Sequence, residues 1–412
     1  MKKKEIILVL SLICLVSYLT ICANGIFKEK NKPNIEESAS YIYNNFVGVT
    51  QINTSEYNSI ASELEAIESK ITNQNNLINL VNAEKEKLKQ EQQTLKLELD
   101  NKKGNTRKDT NNIKIDSLES AKNSRDLAQK RIKDIDKQLT MNDSINHFSK
   151  NLINNLKLQS ETLVKELDSQ KLKMQKNAQS LVGEMSVNFK GVNYNLFVAD
   201  VDSNKIRMHW RNKNGKNYFS ISSLISNLKA EKLDPLMVTN AGMYTRNCEP
   251  QGLFIEGYMN ELRKLDTTAP ITDANFYLKP NGVYFIDTAG FSHICTTQDF
   301  YRQYNSKDIA VRYATQSGPM LLIDGEIHHS FSKGSFNKKI RSGVGIINEK
   351  RTVFIISQTD ANFYDFALLM KDVFGCKEAL FLDGAISSMY LKNIDSTSLG
   401  GHFGPMISIT NK

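Results

Sequence analysis

No proline stands between Pro33 and Pro235, and between Gly48 and Gly183 the only glycine is Gly104. From Asn58 to Asn188 the only aromatic residue is Phe148. A stretch this long without breakers or aromatic anchors reads as long helix. Only one long uncharged apolar run occurs, which excludes a multi-span membrane protein. Cysteine is scarce, five in 412 residues, with no CxxC pair and no close Cys/His grouping. That excludes a disulfide-dense scaffold and argues against a structural zinc site. One-sided charge is missing too. The formal net charge is +8, but Lys and Glu are interleaved in runs such as Glu84-Lys85-Glu86-Lys87, so no basic stripe forms and no nucleic-acid partner is expected.

What is present divides the chain in four. Residues 1–23 hold Lys2, Lys3 and Lys4 followed by an uncharged run from Ile6 to Ala23. This reads as a signal peptide or a signal anchor, with the lysines keeping Met1 inside and the rest outside. A lipoprotein signal ending at Cys22 is a third reading, although bulky Ile21 stands where a small residue is usual. All three imply an envelope or secreted protein. Residues 24–52 read as a linker.

Residues 53–182 read as a coiled coil. One seam runs Ile60, Leu64, Ile67, Ile71, Gln74, Ile78, Val81, Lys85, Leu88, Gln92, Leu95 and Leu99, its spacings alternating four and three. A loop is expected near 101–112, around Gly104. A second seam runs Leu118, Ala121, Arg125, Ala128, Ile132, Ile135 and Leu139. It shifts near Met141 and resumes at Ile145, Leu152, Leu156, Leu163, Leu167 and Met174. Two arms of similar length predict an antiparallel hairpin, with a parallel dimer as the alternative. Either suits a stalk or an arm that recruits a protein partner.

From residue 183 on, short apolar runs alternate with turn signals, and 18 of the 21 glycines appear. The expected class is α+β, a mixed-sheet domain behind the all-α region. Cys248, Cys295 and Cys376 allow at most one disulfide inside it. Four segments stand out as strand ends followed by small or polar residues: Thr239-Asn240-Ala241-Gly242-Met243-Tyr244, Gln316-Ser317-Gly318-Pro319-Met320, Arg341-Ser342-Gly343-Val344-Gly345 and Leu382-Asp383-Gly384-Ala385-Ile386-Ser387-Ser388. Small residues at strand ends let a ligand approach the backbone, and ligands commonly gather where strands end.

These four segments, in this order, resemble the phosphodiester glycosidase family, that of the lysosomal uncovering enzyme. Its signatures are Asn-Gly-Gly-Phe/Met-Phe, Gly-Gly-Pro-x-Leu, Arg-x-x-x-Gly and Leu-Asp-Gly-Gly-x-Ser. The resemblance covers roughly Met185 to Lys412 and is nearest a bacterial branch with Asn-Ala-Gly-Met-Tyr in the first position. Ala241, Ser317 and Ala385 replace family glycines.

The resemblance implies cleavage of the bond between a sugar's anomeric carbon and a phosphodiester oxygen, with a glycan or glycosyl phosphate as substrate. A phosphate leaves as a stabilised anion and needs little protonation, so the full acid/base pair of ordinary glycosidases is not required. Such a site needs a cation for the phosphate, a carboxylate to activate water or stabilise the sugar cation, and donors for hydroxyls. Arg341 is expected to hold the phosphate and Asp383 to be the carboxylate. Asn240, Gly242, Ser317, Gly318, Gly343, Gly384, Ser387 and Ser388 are the expected substrate-binding positions. No ligand spacing demands a cofactor, and a divalent cation at Asp383 is left open.

Each residue has a plainer reading. Asp383-Gly384 is an ordinary turn dipeptide, and Asp324 and Glu256 also precede glycines. Arg341 follows Lys338 and Lys339 and reads as surface charge. Asn240 tolerates a left-handed turn, Ser387 and Ser388 cap helices, and His328-His329 reads as surface. The alternative function is a non-catalytic envelope module that binds glycan or phosphorylated polymer. A peptidoglycan peptidase is disfavoured because no HxH with a distant HxxxD occurs, and a GxSxG hydrolase because that motif is missing.

Overall fold

The structure is a computed structural model that describes residues 50–105, 115–257, 261–268, 275–305, 310–383, 387–394 and 401–412. The expected N-terminal signal or anchor lies outside the described residues. No helix among them is long and apolar enough to cross a membrane.

The chain is α+β. The short strand β1 (Thr50–Ile52) leads into helix α1 (Ser55–Asn105), and α2 (Ile115–Ala178) returns alongside it. This is the antiparallel hairpin that the two seams predict. Ile60, Leu64, Ile67, Val81 and Leu88 are buried from one arm, Ile135, Leu156 and Met174 from the other. The polar seam residues set the register. Gln92 donates to Asp136 at 2.6 Å, Lys85 pairs with Asp143, and Asn146 donates to Asn82 at 2.8 Å. Each pair climbs one helix as far as it descends the other, so a slip breaks all three. Past Met141 the buried line passes through Asn146, Ser149 and Ile153, which a purely apolar heptad does not reveal.

The hairpin is rooted in the C-terminal domain. The Tyr57 hydroxyl donates to buried Asp372 at 2.6 Å, and its ring stacks on Phe189 at 5.1 Å. β1 pairs in parallel with β2 (Gly183–Phe189), so the expected linker ends as an edge strand. Strands β3 (Val192–Asp200) and β4 (Asn204–His209), helix α3 (Ile221–Ala230), β5 (Pro235–Asn240), β6 (Phe254–Glu256), β7 (Glu261–Arg263), β8 (Gly282–Asp287), β9 (Ser292–Thr296) and α4 (Thr297–Asn305) follow. Then come β10 (Val311–Ser317), β11 (Met320–Ile323), β12 (Glu326–Ile327), β13 (Ser342–Asn348), β14 (Arg351–Ser357), α5 (Phe363–Asp372), β15 (Ala379–Phe381), β16 (Met389–Leu391) and β17 (Met406–Asn411).

These strands build three sheets: β1-β2-β3-β14-β13-β15-β11-β12, β7-β6-β10-β8-β9 and β16-β5-β17-β4. The first is central. Strict alternation sends Leu196, Val198, Val353 and Ile355 to one face, against α5 and the hairpin's foot. Phe197, Ala199, Phe354 and Ile356 face the opposite way, against Met237, Ile407 and Tyr284 of the two smaller sheets. A central strand with both faces covered reads as a continuous apolar run, as YNLFVADV does here.

Cys248, Cys295 and Cys376 are free thiols. Asp324, with φ +50°, and Gly325 form the expected turn. Glu256 does more than turn the chain. Half-buried, its carboxyl is pushed by desolvation up to about 7 from 4.5, with the Trp210 backbone N–H offsetting part of the shift. Between those pH values the folded chain holds a proton that the unfolded chain has lost. The group's contribution is therefore full below the unfolded value and falls as pH rises towards 7. Glu256→Gln should raise stability by on the order of 1–3 kcal/mol near pH 8 and change it little near pH 4. Thermal melts at both pH values check this; an equal shift at both would contradict it.

Candidate active site at the end of the central sheet

β13 and β15 pair with Gly343 opposite Phe381 and Val344 opposite Leu380. The Leu382 N–H donates to the Ser342 carbonyl at 3.0 Å, continuing the ladder. One step further, the same register sets Arg341 opposite Asp383. Two of the expected residues thus meet at one sheet end, and no ion pair joins them.

Arg341 is not surface charge. It is 2% exposed, although Lys338 and Lys339 beside it are exposed. Its guanidinium lies 3.7 Å over the Phe363 ring and 5.5 Å from that of Phe381. Nε donates to the Ala361 carbonyl at 3.2 Å, and Nη2 donates to the backbone and side-chain oxygens of Asn337, both at 3.2 Å. Among the described residues no carboxylate makes an ion pair with Arg341, and Nη1 donates to nothing. Burial pushes the group down to about 10 while the charge of Asp360 opposes the shift, so it remains a cation at neutral pH. A buried cation held by carbonyls and a ring, with Asp360 acting only through its charge and no contact ion pair among the described residues, is an uncommon and costly arrangement.

His328 is likewise buried rather than on the surface. Its Nε2 lies 3.1 Å from the Lys279 carbonyl oxygen, and its ring stacks on Phe331, which stacks on Phe363. A ladder of rings therefore backs the guanidinium.

On the sheet's other face sits a hydroxyl clasp. Ser342 Oγ donates to the Asp383 carbonyl at 2.9 Å, lies 2.9 Å from Ser387 Oγ and accepts from Asn240 Nδ2 at 3.1 Å. Ser387 Oγ also donates to the Asp383 carbonyl. The Ser388 N–H donates to Asn240 Oδ1 at 3.3 Å. Asn240 is a fully buried, extended strand end and not a left-handed turn residue. Ser387 and Ser388 precede β16 and cap no helix among the described residues. Asp383 and Ser387 are half-exposed, which leaves them at the rim.

The small residues serve the protein's own packing. A Cβ at Gly242 would lie 2.2 Å from the Gln316 carbonyl oxygen, at Gly318 2.5 Å from Asn281 Cβ, and at Gly343 2.9 Å from Met370 Cε. What approaches these glycines is therefore protein rather than ligand. Ser317, fully buried, donates to the Leu382 carbonyl at 2.5 Å and braces the strand carrying Asp383. Gly384 lies outside the described residues.

Sequence reasoning gave no role to Asn337, Phe363 or Tyr244. The first two bear on Arg341 only after folding and carry no local motif. Tyr244 closes the first signature segment. Its hydroxyl oxygen is buried without a hydrogen-bond partner, and desolvation together with the charge of Asp383 holds the phenol above its ordinary range. Among the described residues no three His, Cys, Asp or Glu side chains gather for a metal. A cavity of about 330 Å³ between Asp200, Lys205, Arg312 and Lys412 lies at the far end of the central sheet, away from Asp383.

The phosphodiester glycosidase family model matches residues 235–403, which span all four signature segments. The relative "Uncharacterized protein YigE" of Escherichia coli (strain K12) is 31% identical over 218 residues, covering 52% of this chain and 81% of the relative. The chain belongs to the phosphodiester glycosidase family. The match to the family model begins at β5, so the helical hairpin lies outside it, and Asn240, Arg341 and Asp383 lie inside.

Ser342 is the hub of the clasp. Ser342→Ala leaves Asn240 Nδ2 only its long bond to the Ala241 carbonyl at 3.4 Å and Ser387 Oγ only the Asp383 carbonyl, so a loss of about 1–3 kcal/mol is expected. A urea melt reads it as a lower midpoint; an unchanged midpoint would contradict the bridging role.

Proposed function

We propose that the chain is an exported hydrolase that cleaves glycosyl-1-phosphodiester bonds in envelope or extracellular glycans. The observation that carries this reading is the buried guanidinium of Arg341, which among the described residues makes no contact ion pair with a carboxylate and donates nothing from Nη1. A phosphodiester supplies an anion to which the unused N–H groups of Nη1 can donate a charge-assisted hydrogen bond. Desolvation makes the attraction stronger than it would be in water.

Asp383, opposite in register, is the carboxylate that activates water or stabilises the developing sugar cation. Its charge is felt by the Tyr244 phenol, so the carboxylate belongs to the same strand-end cluster. Its main chain is fixed by Ser342 and Ser387, which limits its wandering. The leaving phosphate is stabilised where it departs, on a preorganised cation. Export is supported by the lysines at positions 2–4 and the uncharged run from Ile6 to Ala23, with the hairpin as a stalk.

A second reading, a glycan-binding module without turnover, draws on the clasp: Asn240, Ser342 and Ser317 spend their polar groups on the protein itself. Turnover separates the two. Asp383→Asn and Arg341→Met should each lower kcat/KM on a sugar-1-phosphodiester by at least about a hundredfold. Met keeps an apolar stem over Phe363, whereas Arg341→Ala would open a cavity and destabilise the fold. Circular dichroism confirms that each variant is folded. Wild-type rates in both would overturn the assignment, and saturable binding without turnover in the wild type would favour the module.

A further inference from the structure

The residues before Arg341 form a turn with an unusual surface. Phe336 is 98% exposed, more than any other large apolar side chain among the described residues. An isolated exposed ring is unremarkable by itself. Here the backbone that carries it is held in place. The Lys338 N–H donates to the Phe336 carbonyl at 2.8 Å, the Ser335 N–H to the Ser332 carbonyl at 3.2 Å, and the Asn337 N–H to Ser335 Oγ at 3.3 Å. Lys339 and Ala361 exchange two backbone bonds, at 3.2 and 2.9 Å.

The next residue ties the ring to the site, since Asn337 holds Arg341 Nη2 through both its oxygens. Exposed Lys338 and Lys339 follow, and neither makes an ion pair among the described residues. Lys333, earlier in the same loop, is instead neutralised by Glu65 and Glu68 of α1. Among the described residues, the charge of this loop is left open at Lys338 and Lys339, which come just before Arg341 in the chain.

We propose that Phe336, Lys338 and Lys339 form a docking lip for the neighbouring repeat of a phosphodiester-linked glycan polymer, so that the preferred substrate is a polyanionic chain rather than a single glycosyl phosphodiester. This rests on the proposed function and adds the substrate class. A sugar ring offers C–H groups to an aromatic face, and the next phosphate in such a chain offers an anion to the two lysines. Asn337, adjacent in the chain to both Phe336 and Lys338, couples the lip to the phosphate cation through its two hydrogen bonds to Arg341 Nη2. A membrane surface is the competing partner. One ring and two lysines supply little insertion or lipid attraction, and a membrane role does not explain the link to Arg341.

The test uses the whole chain, Phe336→Ala and Lys338→Gln/Lys339→Gln. Each is assayed on a monomeric sugar-1-phosphodiester and on an oligomer of the same unit. Wild type should favour the oligomer, and both variants should lose about tenfold in kcat/KM on it, through KM, with the monomer rate held within about twofold. The oligomer preference should shrink as salt rises from about 50 to about 500 mM. Equal losses on both substrates, or none, would overturn the proposal. So would oligomer kinetics unaffected by the substitutions alongside loss of flotation with phosphatidylglycerol vesicles, which points to the membrane. If wild type turns over neither substrate, the hydrolase reading fails by itself. Equilibrium binding of the oligomer to Asp383→Asn, with and without Phe336→Ala, then decides: binding weakened by the second substitution sustains the lip, and unchanged binding rejects it.

Discussion

The antiparallel register of β13 against β15 decides where each polar group of the site falls. Successive side chains of a strand face opposite ways. Arg341 therefore enters the layer beneath α5 and lies on Phe363, while Ser342, one residue on, enters the opposite layer and gathers Asn240, Ser387 and the Asp383 carbonyl. A slip of one residue would exchange the two, burying a hydroxyl against rings and a guanidinium among hydroxyls. The close-packed glycines guard that register. Gly343 meets Met370 and Phe366 of α5, and Gly242 meets the Gln316 backbone, so neither accepts a side chain without the layers parting.

The charge arrangement follows from the same geometry. A cation taken out of water without a counter-ion costs the fold stability, and the carbonyls of Asn337 and Ala361 and the ring of Phe363 offset only part of that cost. Such an arrangement makes physical sense if an anionic ligand completes it. The hairpin lies outside the family match. Its foot is bound into the C-terminal domain through Tyr57 and Asp372.

The hairpin was legible because its information is local. A heptad states which face is buried, and antiparallel pairing follows from two seams around one break. Lys85 and Gln92 look like flaws in the seam, and they become register marks once Asp143 and Asp136 are placed across from them. The strands with continuous apolar runs were legible for the same reason. The signature segments were legible as a group, since the strand ends that carry Asn240, Ser342 and Asp383 converge in the structure. Their individual roles were not legible. Glycines read as room for a ligand turned out to be room for Gln316, Asn281 and Met370, which lie far off in the chain. Arg341 read as surface because its neighbours are lysines; the ring that buries it belongs to α5. His328 was hidden in the same way, by Phe331 and the Lys279 carbonyl.

The central claim is that the Arg341 guanidinium is kept for a phosphate. A crystal structure of the chain with a hydrolysis-resistant sugar-1-phosphodiester tests it most directly. The account predicts the phosphate within about 3 Å of Arg341 Nη1, with the anomeric carbon towards Asp383. A phosphate bound instead among Lys205, Arg312 and Lys412, in the cavity at the far end of the sheet, with Arg341 Nη1 still without a partner, would contradict it.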